Sequence, residues 1–88
     1  MKVELTEAFL KDLKAARDVD LQQRVKKMVQ RVEQAADLAE LAPVRAMSGP
    51  PGYYRYRLGD YRAGFMLHDG AMVFLRCLHR KEIYRRFP

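Results

Sequence analysis

The stretch YYRYRLGDYRAGFMLHDGAMVFLRCL, residues 53–78, decides the fold. It holds three segments rich in aromatic and branched side chains, at residues 53–58, 61–68 and 71–78. Glycine and aspartate separate them, as GD at 59–60 and DG at 69–70, and such pairs are typical of tight turns between strands. The pattern predicts three antiparallel strands joined as a meander.

Alternation along these strands sorts the side chains between two faces of the predicted sheet. In the first two strands the apolar set is Tyr54, Tyr56, Leu58, Tyr61, Ala63, Phe65 and Leu67. The opposite set is Tyr53, Arg55, Arg57, Arg62, Gly64, Met66 and His68. We therefore expect Arg55, Arg57 and Arg62 to lie side by side on one surface.

The third strand is apolar on both sides, so its parity depends on the register. We expect Val73, Leu75 and Cys77 to point into the core. The residues expected on the other face are Met72, Phe74, Arg76 and Leu78. Arg80 then follows the strand end, at the rim of the basic surface.

The residues before this stretch predict a short strand and a helical hairpin. Residues 2–5 alternate as a strand at the sheet edge, and Thr6 stands at the N-cap of a first helix. The stretch RDVD at 17–20 ends that helix, and a second helix is expected over residues 20–41, before Pro43. Each helix has a single apolar stripe, so both are expected to pack on the sheet.

The remaining segments complete an α+β fold in one domain, residues 1–88. Residues 44–47 are expected to form a strand, SGPPG at 48–52 a turn, and residues 80–87 a final turn or two of helix with Ile83 and Phe87 facing inward. The expected architecture is an N-terminal helical hairpin on one face of a small twisted, mostly antiparallel sheet, with the other face open to solvent.

Composition limits the classes of partner and of binding site that the protein is expected to have. Seventeen Lys and Arg against eleven Asp and Glu give a formal net charge of +6, which favours nucleic acid or an acidic protein as partner. Cys77 is the single cysteine, and with only His68 and His79 beside it neither a disulfide nor a structural zinc site is expected. No signal peptide or membrane span is recognisable, so a cytoplasmic protein is expected.

The arginines on the exposed face have two interpretations. Each one alone fits the solvated side of a half-exposed sheet. Together, Arg55, Arg57 and Arg62 repel one another, and guanidinium groups that converge on one surface usually meet phosphate or carboxylate. The cluster therefore favours recognition of an anion.

The segments YRYRLGDYRAGFMLHDG at 54–70 and VFLRCLHRKEIYRR at 73–86 resemble the RelE/ParE toxin superfamily of type II toxin–antitoxin systems. The order of strand, helical hairpin and meander is similar over essentially the whole chain. Members of RelE type cleave messenger RNA in the ribosomal A site without metal or cofactor, through attack of the ribose 2′-hydroxyl on the adjacent phosphate. The resemblance implies the same activity here.

Residue by residue, the resemblance implicates Arg55, Arg57, Arg62, Arg80 and Tyr84. Of these, Arg57, Arg62, Arg80 and Tyr84 are expected to be catalytic, with His79 as the candidate for proton transfer and Tyr84 as its rival. Arginine cannot be deprotonated in a protein, and arginines stand at positions 55 and 57 where RelE toxins tend to carry lysines, so neither is expected to be the base. The residues expected to bind RNA are Arg55, Tyr53, Arg76, Lys81 and Arg85.

The resemblance also implies a partner, a cognate acidic antitoxin whose C-terminal segment wraps the toxin in a heterodimer or heterotetramer. Two alternative functions stay open. One is a ParE-like inhibitor of DNA gyrase, and the other is a degenerate member that keeps antitoxin binding without toxicity. The shared fold cannot decide among them.

Overall fold

The computed structural model describes residues 1–88 and has an α+β architecture, as predicted. In chain order its elements are β1 (Lys2–Leu5), α1 (Glu7–Ala16), α2 (Val19–Gln34), a 3₁₀ turn (Leu38–Glu40), β2 (Val44–Ala46), β3 (Tyr53–Leu58), β4 (Tyr61–His68), β5 (Ala71–His79) and α3 (Arg80–Arg86). None of the helices is both long and apolar enough to cross a membrane.

The strands form one sheet in the order β1-β5-β4-β3-β2. Only β1 pairs in parallel, with β5, and every other neighbouring pair is antiparallel, which confirms the predicted meander and the predicted edge position of β1. The turn between β3 and β4 needs Gly59, whose φ of 65° lies in the left-handed region that glycine adopts without strain.

One face of the sheet is covered by α1 and α2, and the main core lies between them. Buried residues of the helices, such as Phe9 and Met28, pack against buried residues of the strands, such as Phe65 and Phe74. The apolar sets predicted for β3 and β4 lie on this face, except that Leu67, near the end of β4, is 40% exposed.

Capping side chains define the helical hairpin. The Thr6 hydroxyl accepts a hydrogen bond from the Phe9 N–H at 3.2 Å, as its predicted N-cap position requires, and the Asp18 carboxylate accepts one from the Leu21 N–H at 3.0 Å. Between the helices, Arg17 adopts the left-handed conformation with φ 49°. Arg17 therefore turns the chain between the two helices. With Asp18 as its N-cap, α2 begins at Val19, one residue before the predicted start.

The second helix is shorter than predicted, because it ends at Gln34 and not near residue 41. Ala35 is extended and buried, so the chain leaves the helix there. The Met1 amino group donates to the carbonyl oxygens of Val32 at 2.9 Å and Ala35 at 2.7 Å, and so satisfies acceptors at the helix end. Asp37 then caps the 3₁₀ turn through its bond from the Ala39 N–H. The strand expected over residues 44–47 ends one residue early.

The other face of the sheet is not fully open, contrary to the prediction. The final helix α3 folds back onto it, and Ile83 and Phe87, which were expected to face inward, form a small second cluster with Met47 and Leu78. The absence of a side chain at Gly64 makes room for Phe87, because an added Cβ would lie 2.7 Å from the Phe87 ring. Part of the surface expected to meet solvent is therefore covered by the protein's own C-terminus.

The parity predicted for β5 is wrong over its first part. Met72 and Phe74 are in the main core, whereas Leu75 packs against the second cluster. The reason is a bulge: Gly64 pairs with Arg76 but Phe65 pairs with Phe74, so Leu75 is an extra residue in β5. Beyond the bulge the prediction holds, with Cys77 in the core and Leu78 in the second cluster.

Candidate functional site

Four arginines from three strands surround one small depression. Arg45, Arg55, Arg57 and Arg62 line it together with Ala42 and Pro43, and its volume is about 150 Å³. The strand register explains the convergence, because Arg45 lies opposite Arg55 in the β2–β3 pair and Arg57 lies opposite Arg62 in the β3–β4 pair. We call this feature the arginine pocket.

Backbone carbonyl oxygens hold three of the four guanidinium groups. Arg62 Nη1 donates to the oxygens of Gly59 at 2.7 Å and Tyr61 at 2.9 Å, so the β3–β4 turn fixes its position. Arg45 Nη1 donates to the oxygens of Ala42 and Val44 at 2.9 and 2.8 Å. Arg55 Nη1 makes a longer bond of 3.3 Å to the Ala46 oxygen. These anchors use part of each donor fork and leave other N–H groups for a ligand.

The charge of the arginine pocket is not balanced by the protein. No carboxylate lines it, and none of its four arginines takes part in a salt bridge. Guanidinium groups held close together without a counter-charge attract an anion, and a phosphate fits their donor geometry. The pocket can therefore hold a phosphate group and stabilise negative charge that develops on it.

Tyr84 lies beside the arginine pocket. It projects from α3, is 56% exposed, and its ring centroid lies 5.4 Å from the guanidinium carbon of Arg55. This cation–π contact brings one predicted catalytic residue next to one predicted RNA-binding residue. The exposed ring and hydroxyl are both available to a nucleotide bound at the pocket.

The structure does not bring His79 to the same place. His79 is paired with Tyr61 across β4 and β5, and the two rings meet edge to face at 5.5 Å. Tyr61 packs on the face covered by α1 and α2, whereas Arg62 next to it points to the opposite face. The Nδ1 atom of His79 accepts a bond from the Lys81 N–H at 3.2 Å and caps α3. The geometry gives His79 a structural role.

The other basic residues that were predicted at the C-terminus, Arg80, Lys81 and Arg85, do not line the arginine pocket. The backbone N–H of Arg80 donates to the Asp60 oxygen at 2.8 Å, so the start of α3 is tied to the β3–β4 turn, while the Arg80 side chain is exposed. Lys81 is exposed on the same helical turn. Arg85 is exposed and lies 3.5 Å from the carboxylate of Glu82. Arg80 and Lys81 are free to meet a longer ligand.

Two of the predicted RNA-binding residues are held by the fold. Arg76 forms a two-point ion pair with Asp12 of α1, at 2.7 and 3.1 Å, and the hydrogen bond to Asp12 raises the pKa of its guanidinium above the ordinary value. Tyr53 packs edge-on against Phe87, with ring centroids 5.7 Å apart. Arg76 is already neutralised and Tyr53 is part of the second cluster, so neither is placed to contribute to the arginine pocket.

Arg45 is the residue of the arginine pocket that the sequence prediction omitted. The signal was present, because the turn SGPPG at 48–52 makes residues 44–47 and the next strand a hairpin. Pairing that hairpin places Arg45 opposite Arg55.

The structure also contains no group of three or more His, Cys, Asp or Glu side chains arranged to hold a metal ion.

Comparison with known families gives one match over most of the chain. Residues 3–84 match the family described as the ParE toxin of the type II toxin–antitoxin system parDE. The match includes both helices of the hairpin, the whole meander and Tyr84.

A curated relative and several solved structures are similar along their full lengths. Toxin RelE3 of Methanocaldococcus jannaschii is 35% identical over 89 residues, which cover 100% of both chains. A chain of the RelB–RelE antitoxin–toxin complex from Methanococcus jannaschii superposes with a TM-score of 0.79 at 30% identity, covering 97% of this chain and 99% of that one.

More distant structures share the fold. A chain of the archaeal RelE–RelB complex from Pyrococcus horikoshii OT3 superposes with a TM-score of 0.70 at 21% identity, covering 98% of this chain and 97% of that one. YafQ from E. coli superposes with a TM-score of 0.71 at 18% identity, covering 94% and 97%. The strand order and the helical hairpin are therefore retained where few residues are shared.

Proposed function

Since the chain belongs to the RelE/ParE toxin superfamily of type II toxin–antitoxin systems, we propose that it is a ribosome-dependent endoribonuclease that cleaves messenger RNA without a metal ion. The observation that carries the proposal is the arginine pocket, in which four guanidinium groups converge without a carboxylate among them. We propose that it acts in the cytoplasm, where ribosomes translate the message.

The proposed reaction is a transesterification. The ribose 2′-oxygen attacks the adjacent phosphorus, the bond from phosphorus to the 5′-oxygen breaks, and the products carry a cyclic 2′,3′-phosphate and a 5′-hydroxyl. The transition state concentrates negative charge on the phosphate oxygens, and fixed guanidinium donors stabilise it more than they stabilise the substrate. Arg62, which is held by two backbone carbonyl oxygens, takes this role, with Arg57 opposite it.

Proton transfer is assigned to Tyr84 in preference to His79. The 2′-hydroxyl loses a proton and the leaving 5′-oxygen gains one, so an exchanging group has to lie within reach of the phosphate. Tyr84 is exposed next to Arg55, whereas His79 is on the other face and uses Nδ1 to cap α3. Tyr84 can also stack on an unpaired base, and the two roles are separable by substitution.

The small size of the pocket supports dependence on the ribosome. About 150 Å³ accommodates a phosphate group, while pockets that enclose a small-molecule ligand have volumes of roughly 300–1,000 Å³. The protein therefore offers charge at the scissile phosphate but little enclosure for the flanking nucleotides. A ribosome that holds the codon in place would supply the missing orientation.

The proposed partner is an antitoxin. The RelB–RelE chain that superposes on this one comes from an antitoxin–toxin complex, and the net charge of +6 favours an acidic binding segment. Whether the complex is a heterodimer or a heterotetramer is read from its mass in solution.

The test incubates the purified protein with stalled ribosomes that carry a defined message, and maps the 5′ ends of the fragments. Cleavage in the A-site codon is expected, and Arg62→Ala is expected to lower its rate by about 10²- to 10³-fold, as loss of one oxyanion-stabilising donor does. Lys26→Ala, an exposed change on α2, is the control and is expected to leave the rate unchanged.

Three outcomes would contradict the proposal. An intact message beside a stalled supercoiling reaction would indicate a gyrase inhibitor. No effect in either assay, with normal growth of cells that express the chain alone, would indicate a degenerate antitoxin-binding member. Equal cleavage by wild type and Arg62→Ala would remove the arginine pocket from the mechanism.

A further inference from the structure

Two parts of the proposed site are anchored to one short turn. The β3–β4 turn consists of Gly59 and Asp60, the two residues between the paired strands. The Gly59 oxygen accepts a hydrogen bond from Arg62 at 2.7 Å, and the Asp60 oxygen accepts one from the Arg80 N–H at 2.8 Å. Arg62 lines the arginine pocket, and Arg80 begins α3, the helix that carries Tyr84. The positions of both parts therefore depend on this turn.

Arg24 of α2 lies against the β3–β4 turn. A Cβ added at Gly59 would lie 3.2 Å from the guanidinium carbon of Arg24 and 3.3 Å from its Nε atom. The guanidinium group therefore occupies the space that a side chain at Gly59 would need. Glycine at this position allows both the left-handed φ of 65° and the close approach of Arg24.

Asp20 fixes the direction of the Arg24 side chain. Its carboxylate lies one helical turn earlier and accepts a hydrogen bond from Arg24 Nε at 2.7 Å. This bond raises the pKa of the Arg24 guanidinium above its ordinary value, and the charges of Asp20, Asp60 and Asp18 act in the same direction. Arg24 is therefore attracted both to its own helix and to the turn.

The inner side of α2 holds the helix firmly, so the helix can support the turn. Leu21, Val25 and Met28 lie in the main core and are no more than 5% exposed. The turn has no comparable burial, because Gly59 and Asp60 are both exposed. Exposed turns with few contacts open easily, so a contact from a rigid helix restricts this one.

We propose that Arg24 is a positioning residue for the cleavage reaction, because it holds the β3–β4 turn in the conformation that anchors Arg62. This inference rests on the proposed function. Arg24 itself does not line the arginine pocket, so its effect on the reaction passes through Arg62. Through the Asp60 oxygen, the same contact also supports the start of α3.

The first test compares Arg24→Gln with Lys11→Gln in the cleavage assay on stalled ribosomes. Lys11 forms the same kind of i,i+4 pair, with Glu7 on α1, so the two variants remove equal charge. Arg24→Gln is expected to lower kcat by about tenfold and to change KM by less than about threefold, because a displaced Arg62 stabilises the transition state less while ribosome binding is kept. Lys11→Gln is expected to change neither. Equal effects would overturn the inference.

Asp20→Asn separates positioning from a direct contact between Arg24 and RNA. The variant keeps the charge of Arg24, removes the charge that orients it, and makes the protein more basic. A direct phosphate contact would make binding stronger and cleavage at least as fast as in the wild type. Positioning predicts the opposite, a fall in kcat of about threefold or more. Unchanged or faster cleavage by Asp20→Asn would overturn the inference.

A double-mutant cycle tests whether Arg24 acts through Arg62. In an Arg62→Ala background no guanidinium is left to position, so Arg24→Gln is expected to lower kcat by less than about threefold further. A further tenfold loss, equal to that in the wild-type background, would overturn the inference. Arg24→Gln and Asp20→Asn break only a surface pair, and both should melt within about 4 °C of the wild type.

Hydrogen exchange separates this inference from the proposed function. The Arg80 N–H donates to the Asp60 oxygen, so its exchange rate reports on the turn without RNA. Arg24→Gln is expected to speed this exchange by about tenfold, and Lys11→Gln is expected to leave it unchanged. Unchanged exchange in Arg24→Gln would overturn the inference even if the wild type cleaved RNA. If the wild type cleaved no message while Arg24→Gln exchanged faster, the nuclease proposal would fail and the support of the turn by Arg24 would be confirmed.

Discussion

Gly64 illustrates how a single position links the fold to the site. The Phe87 ring occupies the space that a side chain at this position would need, with three ring atoms within 2.8 Å of an added Cβ. Gly64→Ala is therefore expected to push Phe87 away and to destabilise the protein by about 1–3 kcal/mol, the usual cost of overpacking. Urea unfolding measures the change.

A double variant provides the control for Gly64. If the clash with Phe87 is the cause, Gly64→Ala should cost almost nothing in a Phe87→Ala background, since the ring is gone. Additive losses would mean that the glycine acts through something other than Phe87. Because Phe87 directly follows α3, the helix that carries Tyr84, Gly64→Ala alone should also slow the cleavage of RNA.

Cys77 is expected to be chemically silent in the folded protein. Burial, and to a smaller extent the nearby charge of Asp12, raises the pKa of its thiol from 9.0 to about 12, and only the thiolate reacts with alkylating reagents. Iodoacetamide at pH 8 should therefore modify Cys77 in urea but not under native conditions. Rapid modification of the native protein would contradict the buried position.

The same shift fixes a pH dependence of stability. Above about pH 9 the unfolded chain releases the thiol proton while the folded chain retains it, so the unfolded state binds fewer protons. Stability should fall as pH rises from about 9 toward 12 and should be unaffected by this group below 9. Cys77→Ala should reduce this loss of stability at high pH. If the variant showed the same dependence of stability on pH as the wild type, the loss would come from other groups.

At the scale of elements, Asp12 joins α1 to β5. Its carboxylate accepts bonds from Arg76 and from the Cys77 N–H at 3.0 Å, and the two side chains of the ion pair are only 16% and 28% exposed. Asp12→Ala leaves a partly buried charge and a backbone donor without partners, so a loss of about 2–3 kcal/mol is expected in thermal or urea unfolding.

Glu7 provides the matched control on the same helix. It pairs with Lys11 at 3.3 Å, with both side chains more than three-quarters exposed, and such surface pairs contribute little. Glu7→Ala should change the free energy of unfolding by less than about 0.5 kcal/mol. Comparable losses for the two variants would show that net charge, and not the Asp12 contacts, determines the result.

The elements that sequence could predict are those with strong local signals. The strands of the meander follow from the period of two and from the glycine turns, and Thr6 follows from its N-cap chemistry. The bulge at Leu75 and the early end of α2 could not be predicted, because both depend on distant contacts: the pairing of Gly64 with Arg76, and the Met1 amino group at the helix end. For α3, the sequence predicted that Ile83 and Phe87 face inward, but it did not predict that the helix covers part of the open face of the sheet.

At the scale of the whole molecule, the net charge of +6 predicts salt-dependent RNA binding. If three or four pocket arginines meet phosphates, the logarithm of the affinity for a single-stranded RNA oligonucleotide should fall against that of salt with a slope of about −2 to −3. Fluorescence anisotropy measures it. Arg57→Ala or Arg62→Ala should reduce the slope by about 0.7 each, and an unchanged slope would place the phosphates elsewhere.

Part of the arginine pocket could also be predicted from a local sequence signal. Strand alternation alone places Arg55, Arg57 and Arg62 on one surface, and the structure brings them together. Strand alternation could not reveal that Asp12 neutralises Arg76 or that His79 lies on the opposite face of the sheet. Both facts depend on how distant elements pack. To predict Arg45, the pairing of β2 with β3 would also have had to be considered.

The parallel pairing of β1 with β5 has a consequence for the timing of folding. Val3 lies opposite Met72, so the first strand that the ribosome releases waits for the last one before it gains its neighbour. Such long-range pairing carries a large loop-closure entropy and forms late. We expect β1 to stay unpaired in the nascent chain until β5 has left the ribosome, so that the complete sheet forms only after the whole meander has been made.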